Sequence, residues 1–241
     1  MKNARFLLIV VFLLLSLSAC NQSAEESSPE PDLDLVEFTD EVLEEKVREA
    51  IGKPSGDISI LEAEAVTMLD LSMEPGVSIP RIKNLSSLKY FTKLTSLNLA
   101  WALDDQDLVV DISVLGSLED LEALYLNSNG LDDISSLAGL TEMKDLKIWG
   151  NNISDISALS QMTMLEDLWM QGNQISDIGV LSNIGSNLVR LYLDDNQIED
   201  ISPLNELTKL RSLKLNGNPI VDFSPIKEIY PKLEEKDFDL N

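Results

Sequence analysis

The chain of 241 residues contains no histidine and a single cysteine, and its 42 Asp and Glu face only 18 Lys and Arg. Without histidine there is no Ser-His-Asp or Cys-His nucleophilic pair, no imidazole general base and no ordinary imidazole metal site, so any catalysis would have to run on carboxylates. One cysteine cannot close an internal disulfide. A formal charge of -24 lacks the basic footprint that phosphates or anionic lipid headgroups require, which argues against nucleic acid and against a polybasic membrane grip. Aromatic residues make up only 5% of the chain, so the three tryptophans can be weighed one at a time. The apolar share of 44% is ordinary for a globular protein and leaves enough for a sizeable core.

Met1, Lys2 and Arg5 precede an almost wholly aliphatic and Phe run from Phe6 to Leu17. The run is too short to span a bilayer, and a basic start, a short apolar stretch and then small residues form the pattern of a secretory signal peptide, residues 1–19. Leu17-Ser18-Ala19-Cys20 resembles a bacterial lipobox, in which the cysteine thiol receives a diacylglyceryl group and becomes the first residue of the mature protein. That resemblance implies lipidation, palmitate included, at Cys20 and an extracytoplasmic protein held to the cell membrane by acyl chains instead of a spanning helix. Residues 20–37, rich in Ser, Glu and Pro, carry too little apolar surface to offset ordering and read as an acidic tether of about 60 Å at full extension.

Order is expected from Phe38. Thr39 reads as an N-cap, Leu43, Val47, Ala50 and Ile51 recur at helical spacing, and Gly52 reads as the stop; a second short helix falls around Ile60 to Ala65. Residues 38–65 are thus a small helical N-terminal cap, and residues 66–241 form a repeat array with its own C-terminal cap.

The repeat unit Leu-x-x-Leu-x-Leu-x-x-Asn begins at Leu121, Met143, Leu165, Leu188 and Leu210, at spacings of 22, 22, 23 and 22, with looser copies at Val66 and Leu94 and a truncated one at Leu233. A period of about 20 to 29 with this signature is that of leucine-rich repeats. The fold class follows: a curved leucine-rich repeat solenoid with a parallel β-sheet on its concave face and short 3₁₀ or irregular segments on the convex one. Leucines two apart point to one side of a short strand, and stacking makes one continuous core. Asn129, Asn151, Asn173, Asn196 and Asn218 stand where the chain leaves each strand, placed to satisfy backbone groups that the bend turns away from the sheet. Asp111, Asp133, Asp155, Asp177, Asp200 and Asp222 precede the convex turns and read as caps, not as a calcium ladder.

Stretches such as Asn151-Asn152-Ile153-Ser154-Asp155-Ile156-Ser157-Ala158-Leu159 resemble the 22-residue internalin class of bacterial leucine-rich repeats. Val47-Arg48-Glu49-Ala50-Ile51-Gly52-Lys53 and Gly56-Asp57-Ile58 resemble the helical cap of surface proteins in that group, so the resemblance covers about residues 38–241. It implies a solenoid that binds partners on its concave sheet outside the cell, and names no partner. The sequence holds neither the immunoglobulin-like domain nor the sortase-type tail that accompany some of these proteins, so host-cell invasion is not carried over.

With the inward leucines fixed, the middle outward column reads Asp70, Asn98, Tyr125, Lys147, Trp169, Tyr192, Lys214, Asp237, and the next reads Ser72, Ala100, Asn127, Trp149, Gln171, Asp194, Asn216, Asp239. Trp101 lies just beyond the strand of its repeat. Trp101, Tyr125, Lys147, Trp149, Trp169, Arg190, Tyr192 and Lys214 are therefore the candidate partner-binding residues, exposed aromatics grouped with cations in the manner of an interaction hot spot. The plainer reading is cross-strand stacking that stiffens the sheet.

The repeat from Leu94 is five residues longer than its neighbours, has Ala102 at the asparagine position, and carries Asp104-Asp105-Gln106-Asp107 in the extra loop. That loop lacks the Gly and terminal Glu of an EF-hand and reads as solvated, so no metal or cofactor is expected. Asp145 and Asp167 occupy one column on adjacent strands, about 4.8 Å apart in backbone, which is near the spacing of a retaining glycosidase. An open sheet lacks a water-excluding pocket, and the bland alternative is that Lys147 bridges the two acids. The sequence therefore points to a binding protein, not an enzyme, whose partner is an extracellular or envelope protein or, less directly, a glycan; an envelope spacer and a carboxylate-based glycan hydrolase are the alternatives.

Overall fold

The computed structural model describes residues 34–76, 80–104 and 109–240, all within one compact unit, 33–241. The signal peptide, Cys20 and most of the tether lie outside the described residues, as do Asp105, Gln106 and Asp107 of the insertion.

Eight short strands follow the repeats: β1 Met68–Asp70, β2 Ser96–Asn98, β3 Ala123–Tyr125, β4 Asp145–Lys147, β5 Asp167–Trp169, β6 Arg190–Tyr192, β7 Ser212–Lys214 and β8 Glu235–Lys236. They form one sheet in strict sequence order, every neighbouring pair parallel. The register stacks Leu69, Leu97, Leu124, Leu146, Leu168, Leu191 and Leu213 in one inward row, and all are buried. On the opposite side of this core run the 3₁₀ segments Ser86–Tyr90, Ser113–Ser117, Ser135–Gly139, Ser157–Gln161, Ser202–Leu204 and Ser224–Ile226. The protein is thus an open leucine-rich repeat solenoid. The repeat with 23 residues differs where the spacing says it should: its extra residue is taken up by a short helix, Leu181–Ile184, in place of the simple 3₁₀ turn.

The asparagine row satisfies the bends. Asn151 Nδ2 donates to the carbonyls of Ile148 in its own repeat and Leu126 in the preceding one, while Oδ1 accepts from the N–H groups of Asn129 and Leu131. Asn129, Asn173, Asn196 and Asn218 repeat the two donor bonds, and each accepts from the repeat before it. Where Ala102 replaces asparagine, the Leu99 carbonyl is served by Asn129 and by the Ala102 N–H. The aspartate row also caps: Oδ1 of Asp111, Asp133, Asp155, Asp177, Asp200 and Asp222 accepts from the N–H two residues on, at 2.7–2.8 Å. These bonds hold the carboxyls of Asp111, Asp133, Asp155, Asp200 and Asp222 below the usual aspartate range, the backbone N–H first and the serine hydroxyl second.

Helix α1, Glu41–Ile51, buries Leu43 and Val47 and ends at Gly52 in the left-handed region, φ 69°. Its N-cap is Asp40, not Thr39: Asp40 Oδ1 accepts from the Leu43 N–H, while Thr39 turns to Ser86 and Ser87. The reason lies in the tertiary fold, because Asp40 Oδ2 also takes the backbone N–H groups of Lys83 and Asn84 and ties the cap to the array. Helix α2, Ile60–Glu64, opens on a capping box of Ser59 and Glu62. Lys53, together with Ser59, holds the Glu62 carboxyl down at about 2. At the far end Lys236 replaces the inward leucine and is exposed, and the stacked rings of Phe223 and Phe238, 5.4 Å apart, with Tyr230 beside them, close the core.

Candidate functional site: the outward face of the sheet

The strands place the outward residues by alternation, so the site is a set of columns crossing β3 to β7. The register pairs Tyr125, Lys147, Trp169, Tyr192 and Lys214 in succession. The Lys147 ammonium stands 4.1 Å from the Tyr125 ring centroid and 4.6 Å from that of Trp169. Trp169 meets Tyr192 at 4.9 Å, and Lys214 caps Tyr192 at 4.3 Å. The middle column is therefore a continuous alternation of rings and cations, each contact favoured by the ring quadrupole.

This packing corrects the expectation of openly exposed aromatics. Trp101, Tyr125, Trp149 and Trp169 are half-buried and Tyr192 is only 7% exposed, because Trp101 and Trp149 pack on each other while Tyr125, Trp169 and Tyr192 lie beneath lysines. The cations are committed as well. Lys147 lies 3.4 Å from Asp145, Lys214 lies 3.0 Å from Glu235, and Arg190 is bidentate to Asp167. The Glu235 contact raises the pKa of Lys214, and Tyr192 and Lys214 together lower that of Glu235. Burial and the bond it donates to Asp145 push the Tyr125 phenol up to about 12.

The two aspartates of the hydrolase alternative part company here. Lys147 reaches Asp145 and Arg190 takes Asp167, so no lysine bridges the pair. Both Asp167 oxygens accept from Arg190, so this carboxylate is held in a bidentate ion pair and not poised beside Asp145 with a shared lysine. Among the described residues no group of acids, cysteine or histidine is arranged to hold a metal ion; Asp104 of the insertion pairs with Lys83 at 3.0 Å. No described helix is long and apolar enough to cross a membrane.

Trp149 makes its ring contact with Trp101, edge to face at 5.0 Å and 76°. Trp101 has φ 54°, in the left-handed region. It occupies the position before the asparagine site, where the next five repeats also turn left-handed: Ser128, Gly150, Gly172, Asp195 and Gly217. Glycine adopts that conformation freely and other side chains resist it, so a tryptophan there is held by its surroundings at the cost of backbone strain. The three glycines before asparagine were a signal in the sequence; Trp101 and Asp195 at the same place could have been read from it.

One further set escaped the sequence reading. Trp169 Nε1, Gln171 Oε1, Asp194 Oδ1 and Asp145 Oδ1 are covered polar atoms without a hydrogen-bond partner in the protein. Burial, with Asp237 and Asp195 nearby, raises the Asp194 pKa above its ordinary value. Only tertiary burial makes Asp194 unusual, and its column neighbours carry no local signature of it.

Residues 186–228 match the family described as "Leucine Rich repeats (2 copies)". No curated protein matches. Among solved structures, an internalin (inlF) of Listeria monocytogenes is similar at 32% identity and a TM-score of 0.65, over 83% of this chain and 62% of that one. Internalin C2 (inlC2) of the same species is similar at 27% identity and TM-score 0.65, over 83% of this chain and 93% of its own. A leucine-rich repeat protein of Leptospira interrogans shares the fold at 22% identity and TM-score 0.58, over 75% of this chain and 51% of that one. The chain is a leucine-rich repeat solenoid similar to these internalins, and it spans under two thirds of the length of the first of them.

Proposed function

We propose that this is a lipid-anchored extracytoplasmic protein that captures a partner, most directly another protein, on the outward face of its sheet. The reading rests on Trp101: where three repeats place glycine, this one places a tryptophan in a strained backbone and sets it against Trp149. Strain of roughly 1 kcal/mol or more is kept where the displayed group has a use. Leucine-rich repeats are an interaction fold, which supports a binder over an enzyme. Within the candidate set, Trp101, Trp149 and Trp169 act as contact surface, while Lys147, Arg190 and Lys214 hold the rings and acids of the face in place around Tyr125 and Tyr192.

The anchor is Cys20, on the strength of Leu17-Ser18-Ala19-Cys20. Cys20→Ser is expected to abolish incorporation of labelled palmitate and to release the protein from the membrane fraction; palmitate uptake by the variant would overturn the anchor.

The stacking of the middle column also suits an envelope spacer, for which the face would be rigid but idle. Crosslinking on intact cells separates the two. A folded Trp149→Ala, Trp169→Ala double variant is expected to lose the partner bands seen with the wild-type protein; an unchanged band pattern would sink the binding reading and favour the spacer.

A further inference from the structure

The charges of the outward face do not balance column by column. Its cations are spent inside the molecule: Lys147 on Asp145 and two rings, Arg190 on Asp167, Lys214 on Glu235 and Tyr192. No described cation pairs with Asp194, and the unpartnered atoms around it are mainly acceptors, Gln171 Oε1 and Asp194 Oδ1, with Trp169 Nε1 the one donor. In the same column stands Trp149, its indole braced by Trp101 and capped by no described cation. Trp149, Gln171 and Asp194 sit at one register position on three successive repeats, so the outer two are about 10 Å apart, close to the rise of one three-residue turn of polyproline II helix, which returns every third side chain to the same face.

We propose that this column binds a basic segment of a protein partner in the polyproline II conformation, with one cationic side chain over Trp149 and a second, three residues along on the same face, against Asp194. This rests on the reading of the face as a binding surface and specifies its partner's chemistry. An acidic segment would face Asp194, Asp195 and Asp237 together, with Lys214, already paired with Glu235, as the cation nearest Asp194. An arginine answers what the column lacks: a donor-only fork for Asp194 and Gln171, and a flat cation that stacks on indole. A backbone carbonyl of the same segment can accept from Trp169 Nε1 once the side chains that cover it turn aside. The partner's charge also opposes the net charge of -24, which speeds its approach.

The test is a nuclear magnetic resonance titration of residues 20–241 carrying Cys20→Ser, so that no lipid is attached, with the acetylated, amidated peptide Gly-Arg-Gly-Gly-Arg-Gly, read at the three indole N–H signals. Saturable movement of the Trp149 and Trp169 signals is expected. Asp194→Asn is expected to weaken binding about ten-fold, the effect of one charge-assisted contact, while Glu199→Gln, an exposed acid in the turn beyond the strand, leaves it near wild type. Retained dispersion of the indole signals certifies that each variant is folded. Equal weakening by the two variants would mean general attraction to an acidic protein and would overturn the proposal, as would equal binding of the Gly-Glu-Gly-Gly-Glu-Gly peptide or motionless indole signals. Absent peptide binding together with loss of crosslinked partners in the tryptophan double variant would overturn the basic segment alone. Peptide binding with an unchanged crosslink pattern would overturn the face as the physiological surface.

Discussion

Asn151 illustrates how much one buried amide carries in this protein. It gives two hydrogen bonds to backbone carbonyls and accepts two from backbone N–H groups, and none of these groups has sheet pairing to fall back on. Asn151→Ala leaves the N–H groups of Asn129 and Leu131 without an acceptor in a dry bend, while the Leu126 and Ile148 carbonyls keep Asn129 and Asn173, and is expected to lower stability by about 3 kcal/mol, read as a reduced urea midpoint with an unchanged slope. Asp194 behaves oppositely. Its pKa is raised by burial, so its charge costs the folded state stability above the ordinary aspartate pKa, and the penalty is relieved as pH falls through the raised value. Asp194→Asn is expected to raise the urea midpoint at neutral pH and to leave it nearly unchanged at low pH; a midpoint that falls at neutral pH would show the carboxylate to be paired. A stabilising substitution at the proposed contact point is the signature of a residue kept for something other than folding.

At the level of the element, the repeat period made most of the fold legible, because a Leu-x-Leu pair and an asparagine at a fixed distance admit one geometry. Strand positions, the inward row and the order of the columns all follow from it. The N-cap shifted from Thr39 to Asp40 because the deciding bonds, to Lys83 and Asn84, come from residues over forty positions away. The side-chain pairing on the face was equally invisible: alternation says that Lys147 and Arg190 point outward, not that each has taken a different aspartate. The packing of the convex segments was also beyond the sequence. A Cβ built on Gly116 would stand 2.4 Å from the backbone carbonyl oxygen of Ser136 in the next repeat, whereas one on Gly139 would come no closer than 3.8 Å to its neighbour. Gly116→Ala is therefore expected to wedge two 3₁₀ turns apart and cost about 2 kcal/mol, with Gly139→Ala near neutral, as checked by paired thermal unfolding curves.

Across the molecule, charge sets the response to solution conditions. Removing residues 1–19 takes away Lys2 and Arg5 and no acid, which moves the formal charge from -24 to -26. Self-repulsion of that size is screened by salt, so raising the ionic strength from about 10 mM to about 500 mM is expected to raise the melting temperature at neutral pH. The acid response has the opposite origin. The capping aspartates have folded pKa values below their ordinary 3.8, so their contribution is fully present above that value and is lost as pH falls through the lowered ones. Stability is expected to decline below about pH 4 in the wild-type protein, and less steeply when Asp133, Asp155 and Asp200 are all Asn.

The asparagine row has one more consequence. Because each amide grips the bend before it and is gripped by the one after, every internal repeat offers the same socket on one side and the same plug on the other. Deleting residues 143–164, one 22-residue unit, would bring Leu165 to the place of Met143 and let Asn173 meet Asn129's repeat as Asn151 does now. A joint of this kind is indifferent to how many units it connects. The solenoid can be shortened or lengthened by duplication without redesigning the asparagine joint, and the width of its outward face is then a matter of copy number, free to change while the fold stays the same.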